Sequence, residues 1–194
     1  MRTSEDKADG PLKKRAKARV YTRYPLSSLL IYNASTTAHY VLGGIGIILG
    51  YSSWTGYLIG SLYLVFSFVQ MYILMPLTVC PNCVYHRMNN SLCISGMNII
   101  SRRFAREGST KDFSNRAGGL FCHNNIYIAA LVIPIIAMIP ALALDFSAAV
   151  LAILLSVIAL LLLRFFVIFP KEACVHCAAK NICPQAKSMG LRDS

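Results

Sequence analysis

Four long apolar stretches limit what this chain can fold into. They cover residues 27–50, 54–79, 125–144 and 148–169. Each is long enough to cross a bilayer, because a helix needs about 20 apolar residues to span about 30 Å of hydrocarbon. Only a few residues separate the first stretch from the second and the third from the fourth. The sequence therefore predicts an all-α integral membrane protein in which four transmembrane helices form two tight hairpins.

The first stretch is the most polar of the four, and it carries a histidine at membrane depth, His39. Polar groups at that depth usually face the interior of a helical bundle. We therefore expect His39, together with Gln70 of the second stretch, to form either a buried polar contact or a quinone-binding site.

The spans are expected to pack closely and to include a bent helix. Small residues four positions apart let helix backbones approach each other in lipid. The glycines at this spacing are Gly46, Gly50, Gly56 and Gly60. Pro134 and Pro140 each remove a backbone hydrogen bond from the third stretch, which a neighbouring group must replace.

The basic residues indicate how the chain is oriented. The 194 residues include 19 Lys and Arg against 8 Asp and Glu, a net charge of +11. None of the basic residues lies in the two short links, so the positive-inside rule predicts that both termini and the central loop are cytoplasmic. Arg164, near the end of the fourth stretch, is expected to extend outward to that side.

Disorder and nucleic-acid binding are excluded, since 56% of the residues are hydrophobic and only 14% are charged.

These features predict five segments of a multi-pass protein in a cell inner membrane or plasma membrane. They are a basic cytoplasmic tail (1–24), a first transmembrane hairpin with a CxxC motif (25–93), a basic amphipathic cytoplasmic loop (94–121), a second hairpin with a CxxC motif (122–183) and a C-terminal tail (184–194). Every cysteine then lies on the cytoplasmic side, where stable disulfides are disfavoured and CxxC pairs indicate metal or redox chemistry.

The two hairpins end in similar sequences. Residues 75–83 align with residues 169–177 at a constant interval of 94, and each contains a proline, three further residues and then CxxC. We infer an internal repeat whose hairpins are related by a pseudo-twofold axis along the membrane normal. This symmetry would bring the two CxxC pairs to one depth. The pairs are Cys80 with Cys83 and Cys174 with Cys177.

Several kinds of cysteine chemistry fit this pattern. Four thiolates from two CxxC pairs form the usual tetrahedral zinc site, and zinc is the favoured cofactor. An iron–sulfur cluster is the second candidate, because the later pair, followed by Cys183 and Pro184, resembles a bacterial ferredoxin run, although Lys180 stands where that run has another cysteine. Reduced or exchanging thiols are the third. Five residues are either additional ligands or residues without a ligand role: Cys93, Cys183, Cys122, His123 and His86.

Apolar and polar residues of the central loop alternate at helical spacing, which is typical of an amphipathic helix in the lipid headgroup layer. Headgroup contacts are expected for six basic residues of this loop and of the N-terminal tail. They are Lys13, Lys14, Arg15, Arg102, Arg103 and Arg106.

The sequence contains no recognisable catalytic constellation, such as a metalloprotease HExxH motif, a phosphate-binding loop or a carboxylate within the spans. It predicts a membrane binding or assembly module built on a cysteine-ligated metal centre. Its partners would be the bilayer and a cytoplasmic protein or membrane complex. Two alternatives stay open. One is an electron-transfer subunit that exchanges electrons between an iron–sulfur centre and quinone, and the other is a metal-trafficking or thiol-relay protein.

Overall fold

The computed structural model describes residues 19–51, 53–116, 123–183, 186 and 189–191. This part of the chain is helical, with two isolated bridges and no β-strand. In chain order its elements are α1 (Leu26–Tyr51), α2 (Trp54–Val69), the π-helix π1 (Gln70–Leu74), α3 (Met75–Thr78), a 3-10 turn (Cys80–Asn82), α4 (Val84–Arg87), α5 (Met97–Phe104), α6 (Thr110–Arg116), α7 (His123–Leu144), α8 (Ala148–Leu163) and the π-helix π2 (Arg164–Ala173).

Three helical segments are long and apolar enough to cross a membrane. They are Trp54–Asn82, Asn125–Leu144 and Ala148–Ala173. Their outward side chains include large apolar ones, such as Leu62 and Leu155, which are about half exposed or more. Such an outer surface is expected for helices that contact lipid. The prediction of a helical, multi-pass membrane protein is therefore confirmed for these three segments.

The more polar helix α1 is 26 residues long and packs against α2, α7 and α8. Its residues Thr36 and His39 are buried, as expected for polar groups inside a bundle. Glycine makes its close approach to α2 possible. A Cβ atom at Gly60 would lie 3.0 Å from the carbonyl oxygen of Gly44, too close for a larger residue without a shift of the helices. The glycine spacing in α2 thus serves helix packing, as predicted.

Pro134 of α7 leaves a backbone carbonyl that a side chain of another helix binds. Pro134 has no N–H to donate to the carbonyl of Ala130, four residues earlier. The hydroxyl of Tyr63 donates to that carbonyl at 3.0 Å. Near Pro140, the hydroxyl of Tyr51 donates to the carbonyl of Ala137 at 2.9 Å. Helix α2 therefore replaces the backbone hydrogen bond that Pro134 removes. The Tyr51 bond of α1 lies one residue beyond the Ile136 carbonyl that Pro140 leaves without its usual donor.

Helices α2 and α8 have matching bounds. Both α2 and α8 contain 16 residues, and the interval from Trp54 to Ala148 is the same 94 residues found between the CxxC motifs. The change from α to π geometry occurs at Gln70 and at Arg164, again 94 residues apart. Each π-helix leads towards a CxxC motif. Because π-helical turns occur frequently at functional sites, these segments direct attention to the cysteines that follow them.

Candidate cysteine centre

Each CxxC motif forms a tight turn at the end of a hairpin. The N–H of Cys83 donates to the carbonyl of Cys80 at 3.0 Å, and the N–H of Cys177 donates to the carbonyl of Cys174 at 3.3 Å. All the cysteines in the described part of the chain are free thiols, either buried or half-buried: Cys80, Cys83, Cys93, Cys174, Cys177 and Cys183. Cys122 and the side chain of His123 lie outside the described residues.

Thiols from the two halves of the chain lie together at one end of the bundle. Cys83 of the first half packs with Cys177 and Cys183 of the second half around one small apolar cluster. That cluster consists of Val79, Phe113 and Ala179. Cys174 packs against the larger core that contains Cys80. The folded chain therefore brings together cysteines that are about 100 residues apart in sequence.

Burial favours the neutral thiol at Cys83, Cys174 and Cys177 by raising the pKa of each. It raises the pKa of Cys83 from 9.0 to about 12 and that of Cys174 from 9.0 to about 12. Burial also raises the pKa of Cys177, and the nearby thiols Cys83, Cys174 and Cys183 add to the effect. A buried neutral thiol is a weak nucleophile, because the thiolate is the reactive form. A thiol that coordinates a metal ion loses its proton, so a bound cation would favour the thiolate over the neutral thiol.

A short segment before α1 connects both cysteine loops. We call residues 19–24 the N-terminal strap. The N–H of Tyr21 donates to the carbonyl of His176 at 2.9 Å, and the N–H of Tyr24 donates to the carbonyl of Leu92 at 2.9 Å. The N–H of Leu92 donates back to the carbonyl of Thr22 at 3.2 Å. The strap therefore pairs with the loop before Cys93 and with the loop that contains Cys177.

Tyrosine side chains reinforce this connection. The hydroxyl of Tyr85 donates to the carbonyl of Tyr21 at 2.6 Å and accepts the N–H of Ala178 at 3.1 Å. The hydroxyl of Tyr24 donates to the carbonyl of Ala173. The sequence assigned residues 19–24 to the basic tail and did not reveal these contacts, although the density of tyrosine just before the first span was a possible signal.

The described histidines all bond to groups other than thiols. His86 Nδ1 lies 3.0 Å from the hydroxyl oxygen of Ser101, and His176 Nδ1 lies 2.8 Å from the carbonyl oxygen of Arg19. His39 Nε2 lies 2.9 Å from the carbonyl oxygen of Leu131. The suggested partner of His39, Gln70, is fully buried at the start of π1. The ligand role of His86 and the quinone-binding role of His39 and Gln70 stay predictions.

Arg164 is 1% exposed, so the expectation that it extends outward is wrong. One guanidinium nitrogen donates to the hydroxyl of Ser35 at 3.0 Å and to the carbonyl of Tyr32 at 3.3 Å. The guanidinium also donates to the hydroxyls of Thr36 and Tyr127, and its carbon lies 5.2 Å from the centre of the Tyr32 ring. These acceptors come from α1 and α7, which the position of Arg164 in the sequence could not indicate.

The residues expected at the lipid surface fall into two groups. Lys13, Lys14 and Arg15 lie outside the described residues. Arg102 is exposed, but it donates to the carbonyls of Met88 at 3.0 Å and of Ser91 at 2.9 Å. Its side chain therefore also holds the loop that leads to Cys93. Arg103 and Arg106 are exposed at and just after the end of α5.

Among the described residues, no three Cys, His, Asp or Glu side chains are already arranged to hold one metal ion. Comparisons with known proteins give no guide to the chemistry, since no protein-family model, no curated protein and no solved structure matches this chain.

Proposed function

We propose that this chain is a four-helix membrane protein that holds a Zn²⁺ ion between its two hairpins on the cytoplasmic side. The ion would join the hairpins and stabilise a surface for a cytoplasmic protein or membrane complex. The proposed ligands are Cys80, Cys83, Cys174 and Cys177. The observation that supports the proposal is that Cys83 and Cys177, one from each CxxC motif, pack against the same small apolar cluster.

The matching bounds of α2 and α8 support an internal repeat of two hairpins. A repeat of this kind, with α1 as the fourth span, would place both CxxC turns at the same depth. The polar residues of α1 face the other helices, which suits a span that lipid does not surround. The absence of basic residues from the two short links supports cytoplasmic termini.

The state of the thiols favours metal binding over thiol exchange. Exchange needs a thiolate at neutral pH, whereas burial raises the pKa of Cys83 to about 12. Zn²⁺ binds thiolates and displaces their protons, and its charge offsets the cost of burying them. In this proposal the side chains rotate within their CxxC turns to reach a common ion.

Electron transfer through an iron–sulfur centre to quinone is less well supported. That alternative needs His39 or a neighbour to bind a quinone oxygen. His39 Nε2 lies 2.9 Å from the carbonyl oxygen of Leu131, so this nitrogen is already engaged.

Metal and acid-labile sulfide analysis of protein purified without oxygen tests the proposal. We expect a colourless protein with about one zinc per chain, the stoichiometry of one four-thiolate site, and no sulfide. The double variant C80S/C174S should lose the zinc, because it removes one ligand from each pair. The variant C122S removes the remaining cysteine outside the six described, and it should keep the zinc.

Two results would contradict the proposal. A brown protein that contains iron and sulfide would identify an iron–sulfur centre. Full zinc retention in C80S/C174S would mean that the metal lies elsewhere. A thermal unfolding measurement separates loss of zinc from loss of fold, since C80S and C174S as single variants should each weaken zinc binding while the helices stay folded.

A further inference from the structure

Helix α5 buries two polar side chains beside Met97 and turns three large apolar side chains outward. Asn98 and Ser101 are 1% and 0% exposed, whereas Ile99 and Phe104 are 55% and 70% exposed. A helix on the surface of a water-soluble protein has the opposite arrangement. The outward side of α5 is therefore suited to an apolar environment.

The inward polar side is held in place by hydrogen bonds to the first cysteine loop. The amide oxygen of Asn98 accepts the N–H of Cys93 at 3.1 Å, and its amide nitrogen donates to the carbonyl of Ser91 at 2.9 Å. Ser101 Oγ lies 3.0 Å from His86 Nδ1. Rotating α5 to bury its apolar side would break these bonds inside the protein. The outward direction of Ile99 and Phe104 is thus built into the fold.

Basic residues accompany the apolar side. By helical position, Arg103 lies between Ile99 and Ile100, and Arg106 follows the end of the helix. Both arginines are exposed, and neither bonds to any residue that the structure describes. Arginine forms paired hydrogen bonds with phosphate groups, so this mixture of side chains matches the boundary between acyl chains and anionic headgroups.

The position of α5 relative to the spans also supports a place at the boundary between acyl chains and headgroups. Helix α5 packs against α3, which lies near the end of the apolar segment Trp54–Asn82. Leu77 of α3 is itself 43% exposed. The outward side of α5 therefore lies close to the point where this segment leaves the hydrocarbon layer.

We propose that α5 binds anionic phospholipid, with Ile99, Ile100 and Phe104 in the acyl-chain boundary and Arg103 and Arg106 on the headgroup phosphates. The proposal goes beyond the metal centre, and it does not depend on it. The positive charge of α5 and its contact with a membrane-crossing segment favour lipid as the occupant of this surface. They argue against a soluble protein or a second copy of this chain. Lipid bound here would lie on the helix whose inner side holds the Cys93 loop.

Fluorescence quenching in reconstituted membranes tests this proposal. The variant W54F/F104W moves the single tryptophan of the chain to the outward side of α5. It is reconstituted into equimolar phosphatidylcholine and phosphatidylglycerol, with bromine on the acyl chains of one lipid or of the other. We expect strong quenching by both, and stronger quenching when phosphatidylglycerol carries the bromine.

Removing one arginine should reduce this lipid preference. Each basic residue near an anionic surface contributes about 1 kcal/mol, which corresponds to about fivefold enrichment of the anionic lipid. In the W54F/F104W background, R103Q should therefore lower the preference for phosphatidylglycerol about fivefold. K111Q, which removes an equally exposed charge from α6, is the matched control and should leave the preference unchanged.

Three outcomes would overturn the proposal. Quenching by aqueous iodide but not by brominated lipid would mean that the apolar side faces water. Protection from both quenchers would mean that protein, such as a second copy of the chain, covers it. Equal quenching by the two brominated lipids would exclude a preference for anionic lipid. If W54F/F104W does not fold, W54F/I99W provides the same measurement.

Discussion

At the scale of single residues, burial determines how readily Cys83 and Cys177 form thiolates. Cys83 and Cys177 pack against apolar side chains, and a charge in such surroundings loses the stabilisation that water gives. The neutral thiol is therefore favoured, and thiolate formation needs a higher pH or a bound cation. Neighbouring free thiols can therefore stay neutral in the folded protein.

The alkylation rate of Cys83 in the metal-free protein should show directly how burial suppresses its thiolate. A raised pKa means that the thiolate appears only at higher pH, so the rate should rise with a midpoint near 12 instead of 9.0. Three pKa units correspond to about a thousandfold less thiolate near neutral pH. Iodoacetamide labelling followed by mass spectrometry measures this rate, with the same cysteine in detergent-unfolded protein as the control. A midpoint near 9.0 in the folded protein would contradict the burial argument.

At the scale of helices, the proline at position 134 has a compensating contact from a neighbouring helix. Helix α7 contains two prolines, and the hydroxyl of Tyr63 in α2 binds the Ala130 carbonyl that Pro134 leaves without its usual donor. In lipid no water can take this role, so an unbound carbonyl costs more than it would at a soluble surface. The proline of α7 and the packing of this helix against α2 are therefore linked.

A double-mutant cycle on Tyr63 and Pro134 tests this link. Y63F removes the donor to the Ala130 carbonyl and should lower the free energy of unfolding by about 1 kcal/mol. P134A restores an N–H that can reach the same carbonyl, so Y63F should cost much less in the P134A background. Unfolding in mixed micelles measures the cost of Y63F with and without P134A. Y57F, at an exposed position, is the control. An equal cost in the two backgrounds would show that the Tyr63 hydroxyl does not serve this carbonyl.

At the scale of the whole molecule, the N-terminal strap joins the two halves. It pairs with Leu92 of the first half and His176 of the second, and Tyr85 bonds to both the strap and Ala178. The cysteine end of the bundle is therefore held by backbone contacts as well as by side-chain packing. In the proposed zinc protein these contacts would bring the ligands together before the ion binds.

Y85F should loosen this end of the molecule without affecting the spans. The change removes two hydrogen bonds, which together contribute about 1–2 kcal/mol, so amide exchange in residues 174–183 should become roughly tenfold faster. Hydrogen exchange with mass spectrometry measures it, and exchange in α2 and α8 should stay the same. Unchanged exchange at 174–183 would mean that Tyr85 does not hold the second cysteine loop.

The sequence by itself determined the three apolar spans, the close helix packing at Gly60 and the recurrence of the CxxC motifs. These features depend on local length, composition and spacing, which can be read along the chain. Only the tertiary structure decided that Arg164 is buried, that the strap joins the cysteine loops and that α5 turns its apolar side outward. The reason is physical: the first two depend on hydrogen-bond partners that lie far apart in sequence and meet only when the helices pack. The orientation of α5 depends on hydrogen bonds to the neighbouring cysteine loop, whose folded shape the helical spacing does not reveal.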